Sequence, residues 1–358
     1  MTMTRRAFIG TGLMAPLILR AQDKAGTKAP VLGAGDFKYE AFHDWGELPS
    51  RIKWGNTHNV VEDAQGHIHV HHTVHASSES ADTVVVFDRA GKFVRSWGRE
   101  FRGVAHGLWI QKEGREEFLY LTENAANPRM QPQPALPATI VKATLKGEIV
   151  YKIQGPPDIP EYKNPAPALP NPPPYNPTNI AVAPNGDLYV ADGYGSYYIN
   201  RYDRTGTYLN TFGGRGADPG LMREPHGIWI DTRGAEPNVT VADRRNNRLQ
   251  RFTLAGQHID FVQGFRLPCH FHERNGAVVI ADLQGRVTLM DRNNRIIEHL
   301  GEATPASPPN PNRGTQDRSS FVPGQFITPH GANFDHEGNI FVVEWVEIGR
   351  VTKLRKVS

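Results

Sequence analysis

Between residues 187 and 213 the chain reads DLYVADGYGSYYINRYDRTGTYLNTFG. Apolar and polar residues alternate in short runs, the period of a strand with one buried face. Glycine-bearing turns separate the runs. The same pattern recurs in THNVVEDAQGHIHVHH from Thr57, AHGLWIQKEGREEFLYLTE from Ala105 and PHGIWIDTRGAEPNVTVADR from Pro225. It returns in PHGANFDHEGNIFVVEW from Pro329 and, in shortened form, in PCHFHERNGAVVIADL from Pro268. Each copy has an apolar strand, a turn, a second strand and often an acidic residue. A third and fourth strand follow, as in YINRYDRTGTYLNTFG (198–213) and RLQRFTLAGQHIDFVQG (248–264).

Six repeats of four short antiparallel strands predict an all-β, six-bladed β-propeller. One such sheet cannot bury both faces, whereas six arranged radially can. The last repeat lacks a fourth strand. FKYEAFHDWGELP (37–49) has the look of one. The N-terminal strand is therefore expected to complete the last blade and remove its open edge. A single propeller domain over 36–358 follows.

The strand directions then sort the loops. The start of each inner strand and the end of each second strand lie at one mouth. The turns of the opposite mouth are mostly tight. The long segments 73–82, 124–138, 156–177 and 303–324 all belong to the first mouth, several of them Pro-rich. Long loops on one face of a rigid scaffold mark a working face, and a wall or lid there is expected.

Composition adds little to the fold but excludes some functions. A net charge of +3 gives no case for nucleic acid. One cysteine, Cys269, rules out an intramolecular disulfide framework. The N-terminus, MTMTRRAFIGTGLMAPLILRAQDK, sets two arginines before an apolar run too short for a membrane span. TRRAFIG resembles a bacterial twin-arginine export signal. Residues 1–25 are thus expected to be a signal peptide and the mature protein to be periplasmic or extracellular, with no membrane span.

The fifteen histidines are the unusual entry. His106, His226 and His330 each precede a glycine at the start of the inner strand of blades two, four and six. Alternate blades are about 120° apart, so three imidazoles point inward from three directions. One His-Gly alone is a structural residue, its glycine serving a turn. Three at equivalent positions point to a divalent metal, and three His with an open position is a catalytic zinc arrangement. Imidazole also suits iron, copper or nickel. The second strands bring Asp192-Gly193-Tyr194, Asp243-Arg244 and Glu344-Trp345 to the same mouth, the acidic residues as turn caps. Blade one adds His58 and the run His69, His71, His72, with His72 on the opposite face of its strand from the other two. Blade five adds His270 and His272 in an uncertain register.

The repeats resemble NHL repeats. Within that group the chain is similar to the catalytic propeller of peptidyl-α-hydroxyglycine α-amidating lyases, zinc enzymes that release a peptide amide and glyoxylate. The resemblance implies His106, His226 and His330 as zinc ligands. It implies Tyr194, in Asp-Gly-Tyr, as the catalytic tyrosine and Arg244, in Ala-Asp-Arg, as a substrate-binding arginine. The family's second arginine aligns near His72. Its acidic calcium ligand aligns with Gly331, so calcium is not expected. The family's disulfides are absent.

The combined expectation is a metal-dependent, lyase-like or hydrolytic enzyme acting on a small carboxylate-bearing hydroxy compound or peptide-like ligand. Tyr194 serves as base and Arg244 as carboxylate clamp, with weaker ligand-contact roles for His72 and His270. The alternative is a non-catalytic NHL propeller that binds a protein, glycan or small ligand at the same mouth. A sugar or quinoprotein dehydrogenase is a third option without a cofactor motif to support it.

Overall fold

The computed structural model describes residues 29–101, 104–124, 137–163, 175–302 and 313–357. The expected signal at 1–25 and much of the Pro-rich stretches lie outside the described residues. Among the described residues no helix is long and apolar enough to cross a membrane.

The strands form six antiparallel sheets arranged as the blades of a propeller. Blade one runs from Trp54–Glu62 at the axis through Ile68–Val74 and Val84–Phe87 to Phe93–Trp97. Blades two, three, four and five begin at Leu108–Glu113, Asn179–Val182, Pro225–Asp231 and Pro268–Arg274. Blade six takes its inner three strands, Pro329–Phe334, Ile340–Glu344 and Arg350–Lys356, from the C-terminus. Its fourth is Tyr39–Phe42, which pairs Tyr39 with Lys356 and Phe42 with Lys353. The ring closes as the sequence indicates. A fifth, two-residue strand, Val31–Leu32, extends that sheet further upstream than residue 36.

Burial explains why some strands alternate and others do not. The outermost strands, such as Ile149–Ile153 and Ile296–Leu300, alternate half-buried and exposed residues along much of their length. Inner strands are sandwiched between two neighbouring blades and are buried on both faces, as in Pro225–Asp231 and Asn238–Asp243. Among the described residues the core divides into six apolar clusters, one at each blade–blade interface. Ile180, Val190 and Tyr202 of blade three, for example, pack on Tyr120 and Ile140 of blade two. Each fully buried Val, Leu, Ile or Phe contributes ~1.5–3 kcal/mol, and these clusters fix the blades rigidly around the axis.

The acidic residues that end the second strands hold the crossover segments that lead into each blade as well as the turns that follow. Asp192 accepts the Asn176 and Ser196 amides at 2.7 Å each. Asp243 accepts the Arg223 amide at 2.7 Å and Arg248 Nε at 2.7 Å. Glu344 accepts the Ile327 amide at 2.6 Å. The mouth is thereby held by hydrogen bonds to the sheet rather than by loop packing alone.

Candidate functional site

One residue position at the top of the inner strands forms a ring around the axis. Strand register identifies it. Pro225 faces Asp243 in blade four, Thr57 faces His72 in blade one, and Pro268 faces Asp282 in blade five. The next residue in each blade is the ring member. In blade order the ring reads His58, His106, Thr178, His226, Cys269, His330.

The three expected ligands are brought together. Ring centroids of His106, His226 and His330 lie 4.8, 4.9 and 4.6 Å apart in pairs. Each is anchored the same way, by Nδ1–H donated to the ring carbonyl of the next blade. His106 reaches Thr178 O at 2.5 Å, His226 reaches Cys269 O at 3.3 Å and His330 reaches His58 O at 2.8 Å. This fixes the tautomer and leaves each Nε2 with its lone pair. Burial holds the imidazoles neutral. It pushes His106 down to about 3, and His226 and His330 well below the usual range.

The glycine after each of these histidines has a different cause from the expected turn. None of the three has a left-handed φ. A Cβ on Gly227 would stand 2.0 Å from Cys269 O, and one on Gly331 would stand 2.8 Å from His58 O. On Gly107 it would meet Asn179 Cα at 2.8 Å. Glycine is needed because the next blade approaches so closely, and that approach lets the imidazole reach the neighbouring carbonyl.

Above the ring lies a cavity of about 490 Å³. Every blade lines it, with residues such as His58, His106, Tyr194, Glu224, Arg244 and Trp345. This is the mouth at which the long segments were expected. All four of those segments reach it within the described residues, through Thr73, Asn124, Asn176 and Arg313. Tyr162, on the short helix Pro160–Lys163, donates its hydroxyl to Asp192 at 2.8 Å. Arg313 lies over the Trp345 ring at 3.3 Å and lines the cavity.

Tyr194 and Arg244 converge on the histidines. The Tyr194 hydroxyl is 3.0 Å from His106 Nε2 and 3.3 Å from His226 Nε2. Arg244 Nη2 donates to the same hydroxyl at 3.3 Å, and its Nη1 is 3.7 Å from Cys269 Sγ. Sequence reasoning missed Glu224. This buried carboxylate bridges Arg244 and Arg245 from a left-handed backbone conformation, φ 59°. Nothing in the repeat pattern marks it. The pairing means that Arg244 already has an internal carboxylate partner.

His72 and His270 are placed elsewhere. His72 is fully buried against Trp54, with ring centroids 4.6 Å apart, and is not among the residues lining the cavity. Alternation along its strand turns it away from the mouth. His270 sits one residue past the ring, where Asn179 Nδ2 contacts its Nδ1 at 2.9 Å. It too is absent from the cavity lining. The register puts Cys269, not His270, in line with His106, His226 and His330. His71, in contrast, forms a buried pair with Glu123 at 2.9 Å.

The donors suit a metal. His330 Nε2 is buried without a hydrogen-bond partner. Two groups of ligand atoms lie within 4.8 Å of one another: His58, His106 and His330, and His226, Cys269 and His330. Neutral imidazole nitrogen with thiol sulfur nearby fits zinc and other late first-row metals, and does not fit calcium, which takes oxygen.

The fold and site define a six-bladed propeller with a ring of imidazole donors beneath an open mouth. Comparison with known proteins agrees with the architecture. No protein-family model matches the chain. NHL repeat-containing protein 3 of Homo sapiens is 25% identical over 171 residues, 47% of this chain and 44% of that protein. Peptidyl-alpha-hydroxyglycine alpha-amidating lyase 1 of Drosophila melanogaster is 34% identical over 107 residues, 25% of this chain and 19% of that protein. The chain thus matches less than half the length of either curated relative. The resemblance to NHL-repeat proteins and to an amidating lyase stands on these two. Among solved structures, a streptogramin B lyase superposes with a TM-score of 0.56 at 14% identity, covering 90% of this chain and 99% of that one. A gluconolactonase from Xanthomonas campestris gives 0.55 at 13%, covering 92% and 95%. At such identities the likeness shows the fold, one that lyases and a lactonase also use.

Proposed function

We propose that the chain is an exported, metal-dependent enzyme of lyase type, acting at the propeller mouth on a small carboxylate-bearing hydroxy compound. One observation carries this. Three imidazoles with locked Nδ1–H groups stand with ring centroids 4.8, 4.9 and 4.6 Å apart in pairs, and the Tyr194 hydroxyl is 3.0 and 3.3 Å from Nε2 of two of them, His106 and His226. His106, His226 and His330 would hold the metal, with zinc the best match to three neutral imidazoles. Bound there, a metal supplies Lewis acidity toward a substrate hydroxyl or carbonyl, or a more acidic water.

The remaining steps belong to the chain. Tyr194 would accept the proton of the substrate hydroxyl as the bond from that carbon to the leaving group breaks, and would pass it to the leaving group, so the tyrosine ends as it began. Arg244, 3.3 Å from that phenol, supports the phenolate by charge and turns its other donors to the substrate carboxylate. A carboxylate that docks there shares Arg244 with Glu224 or displaces it. The cavity, enclosed from all six blades, limits water around the reacting bond.

A second function class draws on that same Glu224 contact. An arginine already neutralised suits a mouth that binds a neutral or peptide ligand without chemistry. Metal analysis of untagged protein, with release of glyoxylate from an N-acyl-α-hydroxyglycine as assay, separates the two. About one zinc per chain is expected, lost in His226→Ala. Tyr194→Phe is expected to keep its metal and lose ~10²–10⁴-fold in rate. Protein without bound metal, or a Tyr194→Phe variant of full activity, overturns the enzyme reading. Export is tested apart from this. Arg5→Lys with Arg6→Lys is expected to retain the protein in the cytoplasm.

A further inference from the structure

We infer that His58 is a fourth imidazole ligand of the same metal, bound through Nδ1 and oriented by Thr73. The inference deepens the metal reading above and rests on it; with four imidazoles the substrate oxygen would join as a fifth ligand.

His58 holds in blade one the place that His226 holds in blade four. It is the one ring member of blades one, three and five that carries an imidazole. Its centroid lies 5.0 Å from that of His106 and 4.9 Å from that of His330, matching the spacing within the expected trio. Ligand atoms of His58, His106 and His330 lie within 4.8 Å of one another.

The anchoring of His58 differs from that of the other three. Their Nδ1 atoms are spent on neighbouring carbonyls. His58 instead contacts Thr73 Oγ1 through Nε2, at 2.9 Å. With that proton donated to the hydroxyl, the lone pair sits on Nδ1. His58 Nδ1 and His330 Nε2 are both buried without a partner. An unpartnered buried nitrogen is costly, and two at one locus, on rings 4.9 Å apart, mark a place where a cation belongs. A hydrogen bond on the far nitrogen is how proteins orient a ligating imidazole. His58 also lines the cavity, whereas His226 and His330 do not. It therefore approaches the metal from the substrate side. Four imidazoles without a carboxylate give a site selective for zinc and its late first-row neighbours over calcium or magnesium.

X-ray absorption of the zinc-loaded wild-type protein counts imidazoles without any variant, and four are expected. Competition with a chromophoric chelator measures affinity. His58→Gln is expected to weaken zinc by more than the ~10–100-fold that loss of an orienting partner costs. Thr73→Val is expected to fall within that range. The cobalt-substituted protein is expected to change its visible spectrum in His58→Gln and to show no thiolate charge-transfer band. Three imidazoles, or His58→Gln with wild-type affinity and spectrum, overturns the assignment while the three-histidine metal reading stands. A wild-type chain that binds no metal overturns both.

Discussion

Blades two, four and six and blades one, three and five share one fold but present different chemistry at the axis. The even blades carry His-Gly at the ring. The odd blades carry His58-Asn59, Thr178-Asn179 and Cys269-His270. The difference is a division of labour. Each even blade supplies an imidazole and each odd blade the carbonyl that orients it, with blade one adding a further imidazole, His58. Glycine on the even side makes room for the close-lying backbone of the odd side. Neither half of the ring is a site without the other.

The largest test of this contrast is acid. His72 in blade one and His270 and His272 in blade five are pushed down by burial to about 3, 3 and 4. An unfolded imidazole titrates near ~6.5. Between those values the unfolded chain binds more protons than the native one. Stability from these groups is full above pH ~6.5 and is lost as the pH falls toward their folded values. Each contributes up to ~1.4 kcal/mol per pH unit across that window. Thermal melts of metal-free protein should drop steeply between pH ~6.5 and ~4.5, and a flat melting temperature there would mean these histidines are solvated.

Backbone approach comes next. Gly227→Ala places its Cβ 2.0 Å from Cys269 O and should destabilise the fold by ~3 kcal/mol, read by urea denaturation. The odd-blade counterpart, Asn179→Ala, forfeits contacts to the Ile180 amide and His270 and should cost ~1 kcal/mol. Equal effects would erase the distinction between the two sets. The smallest effect is at Thr178. Its hydroxyl donates to Ala191 O at 3.0 Å and Pro225 O at 2.8 Å. Thr178→Val should cost ~1 kcal/mol and leave metal content unchanged in elemental analysis, because only its carbonyl serves His106.

The architecture was largely legible because it rests on local patterns. Alternation, Gly turns and the orphan strand near residue 39 specify blades and closure one repeat at a time. The mouth expected to carry function followed from strand direction together with the long loops gathered there. His106, His226 and His330 stood out through repetition, and Tyr194 and Arg244 through resemblance. What repetition could not show was contact between blades. The carbonyl acceptors lie on neighbouring repeats, and the glycine reflects a neighbour's approach rather than a turn of its own chain. Cys269 was hidden by the shortened fifth repeat, although aligning Pro268 with Pro225 recovers it. Glu224 was missed because its role comes from its two arginine partners, whereas its left-handed backbone recurs at Leu267, the equivalent position of blade five. His72 and His270 were misplaced because their positions depend on packing between sheets.

The closing strand also sets an order in time. Blades one to five are each contiguous in sequence and can form as the chain is made. Blade six cannot, because Tyr39 must find Lys356 across nearly the whole chain, and such distant pairings are slow to form. His330 resides in that blade. The imidazole cluster is therefore completed only when the ring shuts, and an interrupted chain has five blades but no finished site.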